Sequence, residues 1–171
     1  MKKQENVILI GMSGAGKSTL GVLLAKALGK SFVDTDLLIQ QRAGKRLQAI
    51  LDEDGMEFFL RLEEEVVSSL EAVDCVIATG GSVVYSERAM THLRHSGVTV
   101  YLEVAFEELS RRLSNITTRG IVFKGSQDLR SVYEERLPLY ERYADLRLPC
   151  EERDIETAVA QLVALLTEDG E

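Results

Sequence analysis

The chain has 171 residues, 45% of them hydrophobic and 28% charged, with a net charge of −8 from 20 basic and 28 acidic side chains. This is the composition of one globular domain long enough to bury a substantial core, and the acidic balance argues against nucleic acid as a main partner. No apolar run approaches membrane-spanning length, and the N-terminus lacks the apolar segment of a signal peptide. Cys75 and Cys150 sit in or beside short apolar runs without metal-ligand spacing and read as reduced core residues. The expected setting is a cytoplasmic monomer.

In chain order, the run Val7-Ile8-Leu9-Ile10 reads as a fully buried parallel strand. It leads into Gly11-Met12-Ser13-Gly14-Ala15-Gly16-Lys17-Ser18-Thr19, and then Leu20, Leu23, Leu24, Ala27 and Leu28 recur at helical spacing. Strand, glycine-rich turn and helix form the context that G-x-x-x-x-G-K-S needs to bind a nucleoside triphosphate. Glycines let the backbone approach a polyphosphate, and the N–H groups at the helix start present positive charge to it. Lys17 adds a full charge for the β- and γ-phosphates, and the Ser18 hydroxyl is a ligand for Mg²⁺. Gly14, Ala15, Gly16 and Thr19 complete the ATP-binding set.

A short strand over 31–33 ends in Asp34-Thr35-Asp36, where a helix starts. A brief helical piece follows at 47–51, and Gly55 opens a long helix to about Leu70. A buried strand at 75–78 stops at Thr79-Gly80-Gly81-Ser82; helix 87–95, strand 98–103 and helix 106–113 follow. Residues 114–127 lack periodicity and read as a loop. Helix 128–144, a short strand at 146–148 and an amphipathic helix to Leu166 complete the chain. Strands alternating with helices predict an α/β domain with a parallel sheet, in which ligands sit beyond the carboxyl ends of the strands.

Several residues do not suit their surroundings. One aspartate of Asp34 and Asp36 is explained as a helix cap; two beside a triphosphate site suggest one holding Mg²⁺ through water and one deprotonating an attacking hydroxyl. On helix 55–70, Glu63 falls within the apolar stripe Phe59, Leu62, Val66 and Leu70. On helix 128–144, Arg136 lies within the face formed by Leu129, Tyr133, Leu137 and Tyr140, just before Pro138. An arginine there wants an anion, either Glu63 or a substrate carboxylate. Arg119 lies in the aperiodic loop, where a clamp on transition-state charge would be carried. Thr79-Gly80-Gly81 permits close approach to a ligand, whereas His92 and His95 read as surface residues.

Together the phosphate loop, Asp34-Thr35-Asp36, Gly80-Gly81, Arg119 and the run Arg136-x-Pro138-Leu139-Tyr140 resemble the shikimate kinase family in order and spacing. The resemblance implies a single P-loop kinase domain with a five-stranded parallel sheet in the order 2-3-1-4-5. It also implies a substrate subdomain at about 34–60 and a lid at about 114–126. The implied reaction moves the γ-phosphoryl of ATP to the 3-hydroxyl of shikimate, in aromatic amino-acid biosynthesis. By position, Lys17 steadies the phosphates, Ser18 and, through water, Asp34 serve Mg²⁺, and Asp36 holds the substrate hydroxyls and acts as base. Gly80 and Gly81 line the substrate site, Arg136 binds the carboxylate, Arg119 closes over the transferred group, and Arg112 and Arg153 flank the adenine.

Three positions depart from the family pattern, all on the substrate side. Leu60 stands where the family has a second substrate-binding arginine, Ser82 replaces a third glycine, and Gly120 replaces the proline after the lid arginine. Neighbouring Arg61 points roughly 160° around the helix from Glu63. Two other readings therefore stand beside shikimate kinase: a paralogous kinase for another small polyhydroxy acid, and a nucleotide-binding regulatory domain without turnover. Retention of both aspartates argues against the last.

Overall fold

A computed structural model describes residues 5–114, 128–150 and 154–168. Strand β1 (Asn6–Ile10) is buried along its whole length, which an almost wholly apolar sequence allows only at the centre of a sheet covered on both faces. Its one polar residue is satisfied: Asn6 accepts from the Cys75 N–H at 2.9 Å and donates to the Ala72 carbonyl at 2.7 Å. Strands β3 (Cys75–Ala78) and β4 (Gly97–Glu103) flank β1, with β2 (Ser31–Asp34) and β5 (Leu146–Pro149) at the edges. All pairings are parallel and the order is 2-3-1-4-5, as the resemblance implied. Gly97 is needed where β4 begins, because a Cβ there would lie 2.0 Å from the Asn6 carbonyl oxygen.

The helices are α1 (Lys17–Leu28), α2 (Thr35–Ala43), α3 (Leu47–Asp54), α4 (Met56–Ser68), α5 (Glu87–Ser96), α6 (Phe106–Ser114), α7 (Leu129–Tyr143) and α8 (Ile155–Glu168). They cover both sides of the sheet; α1 packs against α8 and β3, α5 against β4 and α4. A second, smaller core joins α2, α3 and α4 through Ile39, Ile50 and Phe59, with Leu47, Leu51 and Leu60 packed on it. This apolar cluster occupies the segment expected to form the substrate subdomain and reaches on to Val66. Most of the expected lid, including Arg119 and Gly120, lies outside the described residues, and so does Arg153.

Two helix faces differ from the apolar spacing. On α4 the buried residues are Phe59, Glu63 and Val67, so Glu63 stands at the centre of the inward face and Leu62 and Val66 flank it. On α7 they are Val132, Arg136, Tyr140 and Tyr143, which leaves Leu129, Tyr133 and Leu137 only partly buried. Each helix is turned toward its polar residue. A short 3₁₀ turn, Val83–Tyr85, follows the Thr79-Gly80-Gly81-Ser82 turn and was not legible from periodicity.

Candidate active site

The turn after β1 is built by backbone conformations that only glycine adopts without strain. Gly14 and Gly16 have φ of 85° and 92°, and Gly11 has φ 144° with space for no side chain beside the Leu102 carbonyl. The loop closes on a hydrogen bond from the Ala15 N–H to the Met12 carbonyl, 3.1 Å, and delivers Lys17 as the first residue of α1. Lys17 is buried, and its ammonium donates to the carbonyls of Gly11 at 2.6 Å and Met12 at 2.8 Å. A cation is thus held inside the curl of the loop, at the positive end of a helix. Arg112 leans on the same loop, donating to the Gly14 carbonyl at 3.3 Å while Glu108 accepts from it at 2.6 Å. Thr19 is exposed on α1.

β2 ends beside this loop, and Asp34 at its end and Asp36 in the first turn of α2 face different ways. Asp34 caps α2, one oxygen accepting the Asp36 N–H at 2.9 Å; the other accepts the Ser18 hydroxyl at 2.7 Å. Capping and a role beside Ser18 are therefore compatible in one side chain. Asp36 projects the other way, toward Gly80 at the end of β3.

Gly80 has two carboxylates against it. A Cβ at this position would lie 2.7 Å from Glu63 Oε2 and 2.8 Å from Asp36 Oδ1. Gly80→Ala is expected to displace both, raising the Michaelis constant for the acceptor about tenfold and lowering stability by roughly 1–3 kcal/mol. Steady-state kinetics and a thermal melt check this; unchanged values for both would mean that the backbone yields freely.

Glu63 is 2% exposed, and Ser82 rather than Arg136 donates to its Oε1, at 2.7 Å. Its Oε2 has no hydrogen-bond partner among the described residues. Burial pushes the carboxyl up to about 7; the Ser82 hydroxyl pulls down, the Asp36 charge adds to the rise, and Arg136 and Lys17 oppose it. Serine at 82 suits its backbone (φ −90°), and it provides a donor that glycine would not. This departure from the family pattern therefore has a physical role.

Arg136 is 1% exposed, and its Nε donates to the Tyr85 hydroxyl at 3.2 Å. The Tyr85 ring lies 5.2 Å beneath the guanidinium, and a side chain at Gly81 would meet Arg136 Nη1 at 3.0 Å. Burial opposes the arginine's charge, but the nearby Tyr140 and Tyr85 hydroxyls outweigh it and the net shift is upward. Tyr140 fixes the height of this corner: its hydroxyl donates to the Gly81 carbonyl, and its ring stacks on Tyr101 at 5.2 Å.

Asp36, Gly80, Gly81 and Arg136 line one recess, with Phe59 and Leu47 as its apolar wall. The recess adjoins a cavity of about 510 Å³ bounded on one side by Ser13, Gly16, Lys17 and Ser18. Gln40, Arg46 and Gln48 bound it on the other side. Leu60 packs in the apolar cluster of α2, α3 and α4. Sequence reasoning missed Tyr85, Ser82 as the partner of Glu63, and the wall from the α2–α3 turn. Only that wall had a local signal, a cation and two amides around a break between helices. Among the described residues no cluster of three or more His, Cys, Asp or Glu side chains has a metal-holding arrangement. No described helix is long and apolar enough to cross a membrane.

The family model described as shikimate kinase matches residues 13–167. A shikimate kinase from Actinobacillus succinogenes is 36% identical over 171 residues, with 97% of each chain covered. One from Pasteurella multocida is 37% identical with the same coverage. A shikimate kinase from Acinetobacter baumannii, solved in complex with shikimate, superposes with a TM-score of 0.87 at 27% identity, covering 97% of this chain and 94% of that one.

Proposed function

Since the chain belongs to the shikimate kinase family, we propose that it transfers the γ-phosphoryl group of ATP to the 3-hydroxyl of shikimate. One observation carries this reading: Asp36 and Arg136, from distant parts of the chain, line one recess that adjoins the phosphate loop. A small acid gripped there by its carboxylate has a hydroxyl beside a base and a polyphosphate beside both.

In this reading the backbone of Gly14, Ala15 and Gly16 cradles the phosphates, with Lys17 and the start of α1 (Ser18, Thr19) supplying positive charge. Ser18 and, through water, Asp34 would hold Mg²⁺; both are hard oxygen donors and are already in contact. When bound, the ion offsets phosphate charge. Asp36 takes the proton of the acceptor hydroxyl as its oxygen bonds to the γ-phosphorus. The bond from that phosphorus to the β–γ bridging oxygen breaks, and ADP leaves. Arg136 forks onto the acceptor carboxylate, Gly80 and Gly81 let the ring lie close, and burial, by disfavouring the charged form of Glu63, weakens its competition for the arginine. Arg119 over the transferred group and Arg112 and Arg153 beside the adenine complete the assignment, with residues 34–60 as substrate subdomain and 114–126 as lid. The reaction serves aromatic amino-acid biosynthesis in the cytoplasm, with the protein acting as a monomer.

ADP release measured with shikimate and with a panel of other small hydroxy acids tests the proposal. Turnover on shikimate is expected. Turnover on another acid alone, or on none, overturns it.

A further inference from the structure

We propose that Arg46 is a catalytic residue that contacts the phosphoryl group in transit between nucleotide and acceptor. This rests on the kinase reading above. Arg46 precedes α3 in extended backbone (φ −71°, ψ 152°), on a turn pinned at both ends. Gly44 reverses the chain in the left-handed region (φ 65°), and the Gln40 side-chain carbonyl accepts the Leu47 N–H at 3.1 Å. The backbone of Arg46 is therefore set by a defined corner, and its exposed side chain borders both the 510 Å³ cavity and an open groove beside Leu37, Gln41 and Lys45.

Its neighbours are neutralised and it is not. Lys45 pairs with Glu53 at 2.7 Å and Asp54 at 2.8 Å, Arg42 with Glu65 at 2.7 Å, and Arg61 with Glu57 at 3.7 Å. Arg46 makes no ion pair or side-chain hydrogen bond among the described residues. In a chain of net charge −8, a guanidinium left without a counter-ion beside a phosphate cradle is suited to an oxyanion that arrives with the substrates. Arg46 lines the cavity of Gly16, Lys17 and Ser18, not the recess of Arg136. That cavity is also lined by Asp36, Gly80 and Gly81, so Arg46 faces the space between the phosphate loop and the base, away from the arginine that grips the acceptor carboxylate. Charge spread over the equatorial oxygens of a transferring phosphoryl is then met by Lys17 from the donor side and Arg46 from the acceptor side.

Arg46→Ala, Arg46→Gln and Arg46→Lys test this in the full chain. The first two are expected to lower kcat about 10- to 100-fold, with both Michaelis constants within about threefold of the unaltered chain; lysine retains part of the rate. Thermal melts should overlay, because the guanidinium has no structural partner. By calorimetry, Arg46→Ala should bind shikimate 3-phosphate about tenfold or more weakly and shikimate itself unchanged. A kcat within about twofold of the unaltered chain overturns the proposal. So does an equal weakening of shikimate and its phosphate, or a loss confined to either Michaelis constant. An unaltered chain that neither phosphorylates shikimate nor binds its phosphate takes down the kinase reading and this inference together. Normal turnover matched by the variants removes Arg46 alone.

Discussion

Asp36→Asn is expected to lower kcat by about 10²- to 10⁴-fold, the range associated with loss of a positioned general base, while ATP binding by calorimetry stays within about twofold. The two side chains have nearly the same shape. The first turn of α2 is held by Asp34, whose oxygen takes the residue-36 N–H whatever the side chain there. Asparagine still offers the acceptor hydroxyl a hydrogen bond but cannot accept its proton. A rate within a few-fold of the unaltered chain would remove Asp36 as base. The same substitution has a second readout, because the Asp36 charge helps to keep Glu63 protonated. Removing that charge should move the Glu63 titration to lower pH.

Glu63→Gln is expected to stabilise the protein at pH 8 and to change it little at pH 5. Burial raises the Glu63 carboxyl from its ordinary 4.5 to about 7. Below 4.5 it is neutral in folded and unfolded chains alike, and its burial carries no charge penalty. Between these values the folded chain keeps a proton that the unfolded chain has released, so stability falls as pH rises; above about 7 the full cost of a buried charge is present. The shift corresponds to roughly 3 kcal/mol. Glutamine keeps the volume and an acceptor for Ser82 but never ionises. A gain of about 1–3 kcal/mol at pH 8, or some 2–10 °C in melting temperature, should shrink toward zero as the pH approaches 5. Parallel melting curves across that range would show that Glu63 does not titrate there.

The parts of the site legible in the sequence were those whose chemistry is local. The phosphate loop is a run of consecutive residues, and Asp34 and Asp36 follow their strand directly. The strands at 7–10 and 75–78 show as short apolar runs because both faces are covered. The parts that were not legible depend on partners far along the chain. Apolar spacing alone centres α4 on Leu62 and Val66, but Ser82, 19 residues away, lets Glu63 take the inward position. It likewise centres α7 on Tyr133 and Leu137, whereas Tyr85 and Gly81 accept hydrogen bonds from Arg136 and Tyr140 across 51 and 59 residues. Periodicity marks Glu63 and Arg136 as out of keeping with their faces; it cannot register the distant hydroxyl or carbonyl that makes the inward position tolerable. Leu60, which stands where the family pattern has an arginine, packs on the second core.

Asp34 spends its two oxygens on different halves of the molecule, one on the N–H that starts α2 and one on Ser18 at the start of α1. A cation bound at Ser18 would compete for the second oxygen alone, and α2 would keep its cap. One carboxylate thus joins the starts of the two helices that follow β1 and β2.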